Sequence, residues 1–325
     1  MEYLSMVRTT ENNLAVLFGG SGFIGQHLAR RLVALGYDVV IADLTPIDLP
    51  GAEFHFCDVR QEIDLRIARK PTVIYNLAAV HRTPGHKSEE YYDTNVLGAI
   101  NIVKWASKVD VRKIVFTSSI SVYGLTKESK IETNQPFPIH PYGKSKYMAE
   151  NIFNLWLADN RNQVALVICR PAVIFGQGEN GNFTRLATAL KRHVFFYPEK
   201  KSIVKACGYV HDLVESFIFV SNRAERGLVL YNFAFPFPYT IGNICEAFAR
   251  VANYSLPHRL PLSKAAKFLL RMPGFAHRLG ERLMKLSNST NVEPLALMDM
   301  GFVWKFDLMS ALQHWRSESR TSEFK

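Results

Sequence analysis

Short apolar runs recur along the first half of the chain, each closed by glycine or a polar residue, with helix-spaced segments between them. Residues 14–18 form the first run, ended by glycines, and read as a buried strand. Residues 24–35 follow with apolar positions at helical spacing and stop at Gly36. A second run, 38–42, is closed by Asp43, and others fall at 53–57, 72–77, 113–117 and 165–169. Helical spacing is clearest over 89–107 and 145–157. Apolar strands alternating with helices, without hairpin signals, predict an α/β fold built on a Rossmann-type, doubly wound parallel sheet.

After Pro171 the pattern loosens. A glycine-rich stretch at 176–181 precedes an amphipathic helix at 183–192 and a basic loop at 195–202. One more strand is expected at 227–234 and one more helix at 241–252. The organisation predicted is a nucleotide-binding domain over 12–175 and a smaller, mixed substrate lobe over 176–325. The two are interleaved, with about 208–235 returning to the sheet.

Composition adds less. A hydrophobic share of 48% with 21% charged residues is ordinary for a globular chain of 325 residues. The formal charge of +10 suits an anionic partner such as a phosphorylated substrate, an acidic membrane surface or nucleic acid, and equally serves solubility. Cys57, Cys169, Cys207 and Cys245 are widely spaced, as expected of unpaired buried thiols in a reducing compartment. The first dozen residues lack the apolar region of a secretory signal, and no apolar stretch reaches the ~18 residues of a spanning helix, so a cytoplasmic location is expected.

The chemistry begins at residues 19–25, GGSGFIG, between the first strand and first helix. Glycines there make a tight turn and let the backbone approach a pyrophosphate, which the free N–H groups of the helix start then face. Asp43, 18 positions after Gly25, ends the next strand, where a carboxylate accepts hydrogen bonds from ribose hydroxyls. Its neighbours Leu44 and Thr45 bring no cation for a 2′-phosphate, so the cofactor expected is NAD rather than NADP. Tyr142 and Lys146 stand one helical turn apart, and Ser119 ends the strand at 113–117. A free tyrosine titrates near ~10, too high for a base at neutral pH, but a nearby ammonium lowers it. The three make a proton-transfer set suited to oxidising an alcohol.

With these residues in view the chain resembles the extended short-chain dehydrogenase/reductase class, in particular the NAD-dependent epimerase/dehydratase family, from about residue 13 to at least 235. The resemblance rests on GGSGFIG, Cys57-Asp58-Val59, Asn76-Leu77-Ala78-Ala79, Asn95 in TNVLGAINIV, Ser119 with Val122-Tyr123-Gly124, PYGKSK, and Arg170-Pro171 with Phe175-Gly176. Val210 and Asp212 in GYVHDLV match a structural motif of the family. It implies catalytic roles for Ser119, Tyr142 and Lys146. It implies cofactor contacts by Gly19, Gly22, Phe23, Ile24, Gly25, Asp43, Asp58, Val59, Leu77, Ala78, Ala79, Asn95, Tyr142, Lys146 and Pro171. Ser119, Asn182, Arg185 and Lys205 are the implied substrate contacts, Lys205 falling where such epimerases carry a diphosphate-binding arginine, and no metal is expected. The family's dehydratases show Thr-Asp-Glu where this chain has Ser118-Ser119-Ile120, which disfavours 4,6-dehydration. What remains is 4-epimerisation, reduction of a 4-keto sugar with NAD(P)H, or simple oxidation by a sugar- or steroid-type dehydrogenase. A non-catalytic NAD-sensing scaffold is disfavoured by the intact trio.

Within the family, the segments LAAVHRTPGHKSEEYYDTNVLG, FTSSISVYGLTKES, HPYGKSK and RPAVIFGQGENGNF resemble bacterial epimerases that invert C4 of N-acetylglucosamine on undecaprenyl diphosphate, in surface polysaccharide (O-antigen) synthesis. UDP-sugar epimerases share much of this, and a homodimer through the helices containing Asn95 and Tyr142 is implied by either. Residues 258–286 carry seven Lys/Arg against one acid, Glu281, interleaved with leucine, phenylalanine and methionine and divided by Pro273. Two amphipathic helices there would suit peripheral contact with the inner face of a membrane. The same pattern also fits packing on the lobe, with the cations on a nucleotide diphosphate or in water. Nucleic acid is not expected, since exposed aromatic stacking positions are missing.

Overall fold

Parallel strands joined by helices build the framework seen in the computed structural model, which describes residues 13–81, 85–124, 128–160, 163–197, 201–258, 289–319 and 323–324. In chain order the first elements are β1 (Leu14–Phe18), α1 (Phe23–Ala34), β2 (Asp38–Asp43), β3 (Ala52–Phe56) and β4 (Val73–Asn76). Then come α2 (Ser88–Tyr92), a π-helical turn (Asp93–Leu97), α3 (Gly98–Lys108), β5 (Lys113–Thr117), a 3-10 turn (Ile120–Tyr123), α4 (Pro141–Asp159) and β6 (Ala165–Pro171). The sheet runs β3-β2-β1-β4-β5-β6 and is completed by β9 (Gly227–Phe233), seven strands in all, each pair parallel.

Both faces of this sheet are covered, which is why its strands read as unbroken apolar runs. Every residue of β1 is buried. Ala15 and Leu17 join the core on the side of α1, whereas Leu14, Val16 and Phe18 join the core formed with α3 and α4. Phe18 meets Trp105 of α3 edge-on, ring centroids 5.4 Å apart. Each such large side chain contributes roughly 1.5–3 kcal/mol by leaving water.

The region expected as one helix over 89–107 is instead α2, the π-helical turn and α3. The wide turn takes up one extra residue without breaking the helix, so the apolar spacing hides it. Helix α4 starts ahead of the clearly periodic stretch because Pro141 occupies its first turn, where a missing N–H costs nothing.

The second half adds β7 (Val173–Phe175), α5 (Asn182–Lys191), β8 (Cys207–Tyr209), α6 (Val210–Arg223), β9, α7 (Ile241–Ala252), α8 (Leu295–Asp299) and α9 (Leu308–Glu318). Helix α6 packs on the α1 side of the sheet, and β7 pairs with β8 in a small parallel sheet. The lobe has its own aromatic core, in which Phe175 stacks on Phe183 at 4.3 Å and Trp315, Tyr209 and Phe248 close around them. All four cysteines are buried and unpaired. No described helix is long and apolar enough to cross a membrane. The basic stretch expected at 258–286 lies, apart from His258, outside the described residues, as do residues 1–12.

Candidate active site

The strand order reverses between β1 and β4, and the crevice at the carboxyl ends of the strands there is where open α/β sheets take ligands. A cavity of about 2130 Å³ opens at that edge and runs on into the lobe. It is lined by every site residue expected from the sequence except Asn95.

The glycine turn forms its inner wall. Gly19 adopts φ +76°, and a Cβ there would lie 2.5 Å from the Ala78 nitrogen. A Cβ on Gly25 would lie 2.6 Å from both Cα and O of Gly20. Only glycine lets this turn fold against the strand, and Gly22 then starts α1 with no side chain capping it. The first-turn N–H groups of α1 are thus left to a ligand, a cradle suited to a pyrophosphate. At the end of β2, Asp43 is fixed by backbone donors: Ser21 N–H reaches Oδ2 at 2.9 Å and Leu44 N–H reaches Oδ1 at 2.6 Å. Asp58 accepts from Arg60, whose guanidinium holds its carboxyl below the usual range.

Asn95 stands behind the cavity wall. It sits in the π-helical turn, 3% exposed. Its amide accepts from Val80 N–H at 3.0 Å and donates to Ser145 Oγ at 2.8 Å, and Ser145 in turn donates to the Tyr142 carbonyl at 2.9 Å. Asn95 thereby ties the loop after β4 to the start of α4.

Ser119, Tyr142 and Lys146 all line the cavity. Ser119 leaves β5 in extended conformation, and its Oγ accepts from Ser121 N–H at 3.1 Å. Burial pushes the Tyr142 phenol up to about 12; the hydrogen bond with Ser119 opposes this, and Tyr91, its ring 6.2 Å away, adds to it. Lys146 is 2% exposed. Its Nζ donates to the Thr117 carbonyl at 2.8 Å and lies 4.8 Å from the Phe116 ring centroid. Burial brings this ammonium down to about 7, against the opposing pull of Glu150. Lys146 is not among the groups that lower Tyr142 here, because with a pKa brought down to about 7 it is already uncharged where the phenol titrates.

Beneath the trio lies a buried ion pair that the sequence does not announce. Arg170 grips Glu150 with two hydrogen bonds of 2.9 and 2.7 Å and donates to the Tyr123 hydroxyl at 2.9 Å. Ser118 donates to the same carboxylate. Asn182 and Arg185 stand exposed at the start of α5, and Lys205, half-buried, is brought down to about 8 by burial. Thr290, Asn291 and Val292 also line the cavity, reached from the far end of the chain by hydrogen bonds such as Ala206 N–H to Thr290 O at 2.8 Å. Pairings of that range carry no local sequence signal.

The profile of the NAD dependent epimerase/dehydratase family matches residues 15–234. The chain is 28% identical over 318 residues, 93% of each protein, to the N-acetyl-alpha-D-glucosaminyl-diphospho-ditrans,octacis-undecaprenol 4-epimerase of Escherichia coli O157:H7. It is 28% identical over 288 residues, 74% of this chain and 83% of the other, to the UDP-glucose 4-epimerase of Bacillus subtilis (strain 168). Among solved structures, MoeE5 in complex with UDP-glucose and NAD superposes with a TM-score of 0.74 at 21% identity, covering 94% of this chain and 99% of that one. That last likeness establishes the shared fold.

Proposed function

This chain belongs to the NAD dependent epimerase/dehydratase family, and from that premise we propose that it is a 4-epimerase of a diphosphate-linked sugar, N-acetylglucosamine carried on undecaprenyl diphosphate or on UDP. The observation that carries the reading is the convergence of Ser119, Tyr142 and Lys146 on the cavity that also holds the glycine cradle. At residues 118–120 the chain has Ser118-Ser119-Ile120, without the carboxylates a dehydration would use. The Escherichia coli relative, matched over 93% of both chains, supports the lipid-linked carrier.

The residues fit NAD. Gly19, Gly22 and Gly25 with the start of α1 would hold its pyrophosphate, and Asp43 its adenosine ribose. Bound there, NAD supplies a temporary hydride acceptor that ends the cycle unchanged. Ser119 orients the C4 hydroxyl of the sugar, and Tyr142, as phenolate, takes its proton and later returns it to the ketone oxygen. Lys146, when charged, stabilises that phenolate. The ketone must present its other face before the proton is returned, by turning about the diphosphate linkage. A cavity of about 2130 Å³ has room for this, being about twice the upper end of the ~300–1,000 Å³ of single-ligand pockets. Asn182, Arg185 and Lys205 are assigned to the diphosphate.

The reading carries three further parts: action on the cytoplasmic face of the membrane, peripheral contact through 258–286, and a homodimer. Exposed apolar side chains on the helices concerned, Leu97, Met148 and Leu155, support the dimer. All three belong to a role in surface polysaccharide synthesis.

The test is purified protein, without added cofactor, on UDP-N-acetylglucosamine and on undecaprenyl-diphosphate N-acetylglucosamine. Conversion of the lipid-linked sugar alone selects that carrier, and conversion of the UDP-sugar selects the nucleotide. If neither reacts until NAD(P)H and a 4-keto sugar are supplied, the protein is a reductase and the proposal fails. Tyr142→Phe abolishes turnover and leaves NAD binding intact, and retained activity would remove Tyr142 from its role.

A further inference from the structure

Away from the catalytic trio, where the lobe meets the nucleotide-binding half, three side chains converge that the proposed epimerisation does not use. His211 stands in the first turn of α6, and His314 and Glu318 stand one turn apart on α9. One nitrogen of each ring and an oxygen of the carboxylate all lie within 4.8 Å of one another. His211 Nε2 is 3.2 Å from Glu318 Oε1, and His314 Nδ1 is 3.5 Å from Glu318 Oε2. We propose that His211, His314 and Glu318 bind one divalent transition-metal ion of the zinc class, which staples α9 to the β8–α6 junction.

The spacing is the first argument. Tetrahedral zinc, with bonds of about 2.0–2.1 Å, sets its ligand atoms about 3.3 Å apart. The two nitrogen–oxygen separations, one to each carboxylate oxygen, lie close to that figure, and the ring nitrogens are within 4.8 Å of each other. The donor set is the second: two imidazoles and a carboxylate suit zinc and its neighbours, whereas magnesium and calcium seek all-oxygen sites. The third is an orphaned donor. His211 Nε2 is shut off from solvent and has no well-formed hydrogen bond, its nearest polar neighbour being Glu318 Oε1 at 3.2 Å. An ion between them would satisfy both groups at once.

The surroundings complete a site of that size. The Tyr209 hydroxyl lies 2.7 Å from His314 Nδ1 and 3.3 Å from Glu318 Oε2, placing an oxygen at the remaining corner. On the other side the His27 ring lies 5.1 Å from that of His211, and His27 Nε2 contacts the Gln177 carbonyl at 2.9 Å. Gln177 donates to the Glu318 carbonyl at 3.0 Å. The ligand residues are thereby tied to α1, which carries the glycine cradle. His211 and Glu318 line the large cavity, which gives an ion its way in.

The experiment uses the full chain without a histidine tag, stripped with chelator, loaded with zinc chloride and dialysed. Elemental analysis is expected to find one zinc per chain, and excess zinc to raise the melting temperature by roughly 5 °C while magnesium leaves it unchanged. His314→Ala is expected to lose both the retained zinc and the shift. No retained zinc in the native chain, or undiminished retention in His314→Ala, overturns the proposal and leaves a hydrogen-bonded histidine–carboxylate cluster. Should His314→Ala fail to fold, cobalt(II) added to the stripped native chain decides. A visible absorption band of tetrahedral cobalt supports the site, and its absence overturns it.

Discussion

Replacing Lys146 by methionine separates two roles that a buried lysine beside a tyrosine can play, fixing the cofactor or supplying charge. Burial holds Tyr142 at about 12 and Lys146 at about 7. One positive charge at a helix-turn separation of ~6 Å, at an effective dielectric constant of ~20, is worth ~2.8 kcal/mol, or about 2 pKa units. With Lys146 charged, Tyr142 therefore titrates near ~10, and the phenolate–ammonium form is outweighed by the phenol–amine form about a thousandfold. That small active fraction is reached once one proton leaves the pair, near pH 7, and then stays level. Without the lysine, the phenolate fraction at pH 7.5 falls to about 3 × 10⁻⁵ and rises tenfold per pH unit. The expected loss in Lys146→Met is thus roughly 25-fold at pH 7.5, shrinking to about two-fold by pH 9. The assay is kcat against pH at saturating NAD, with circular dichroism to show both chains folded. A deficit of the same size at pH 7.5 and pH 9 would refute this account and leave Lys146 a binding residue.

The same residue makes a stability prediction of opposite sense. Lys146 titrates near 7 in the fold and near ~10.5 in the unfolded chain, so between those values the unfolded chain holds the extra proton and stability rises with pH. Lys146→Met removes that dependence, and its melting temperature should exceed the native one at pH 6.5 and converge with it by pH 10; no difference at pH 6.5 contradicts the buried ammonium. Glu150→Gln leaves the Arg170 guanidinium buried without its counter-charge, at a cost of about 3–5 kcal/mol. Thermal melts should show a fall of roughly 4–7 °C, and a change under 2 °C would mean the pair is not closed as described. Gly25→Ala places a methyl 2.6 Å from the Gly20 backbone, so NAD affinity by calorimetry should drop at least about tenfold with the sheet intact; unchanged affinity would free the glycine turn from its role.

Much of this fold is legible in the sequence because its strands are buried on both faces, which writes them as apolar runs, and because the glycine turn fixes where the first helix begins. The site is legible for a related reason. Gly19, Asp43, Leu77, Ser119 and Pro171 each stand at or just beyond the carboxyl end of a strand, and the parallel sheet brings those ends to one edge. What stays hidden are features with no local pattern. The π-helical turn adds a single residue that helical spacing absorbs, and the links it gives Asn95 to Val80 and Ser145 leave no local trace. Glu150 and Arg170 lie on different elements, and so do His211 and His314, brought together only by packing.

Two adjacent serines show how the strand geometry assigns chemistry. Ser118 and Ser119 follow β5 directly, and each meets a different side chain of α4. Ser118 is turned to α4, where its hydroxyl is held by the Glu150 carboxylate that Arg170 already grips. Its proton is committed to a buried ion pair, and it has none to share with a substrate. Ser119, one residue on, caps the 3-10 turn, and its hydroxyl meets Tyr142 in the first turn of the same helix, two turns from Glu150. The ion pair that occupies the first serine also lies one helical turn beyond Lys146, where its carboxylate opposes the loss of the ammonium proton. One buried carboxylate thus keeps Ser118 out of the reaction and holds Lys146 near the point where it can be charged when Tyr142 needs it.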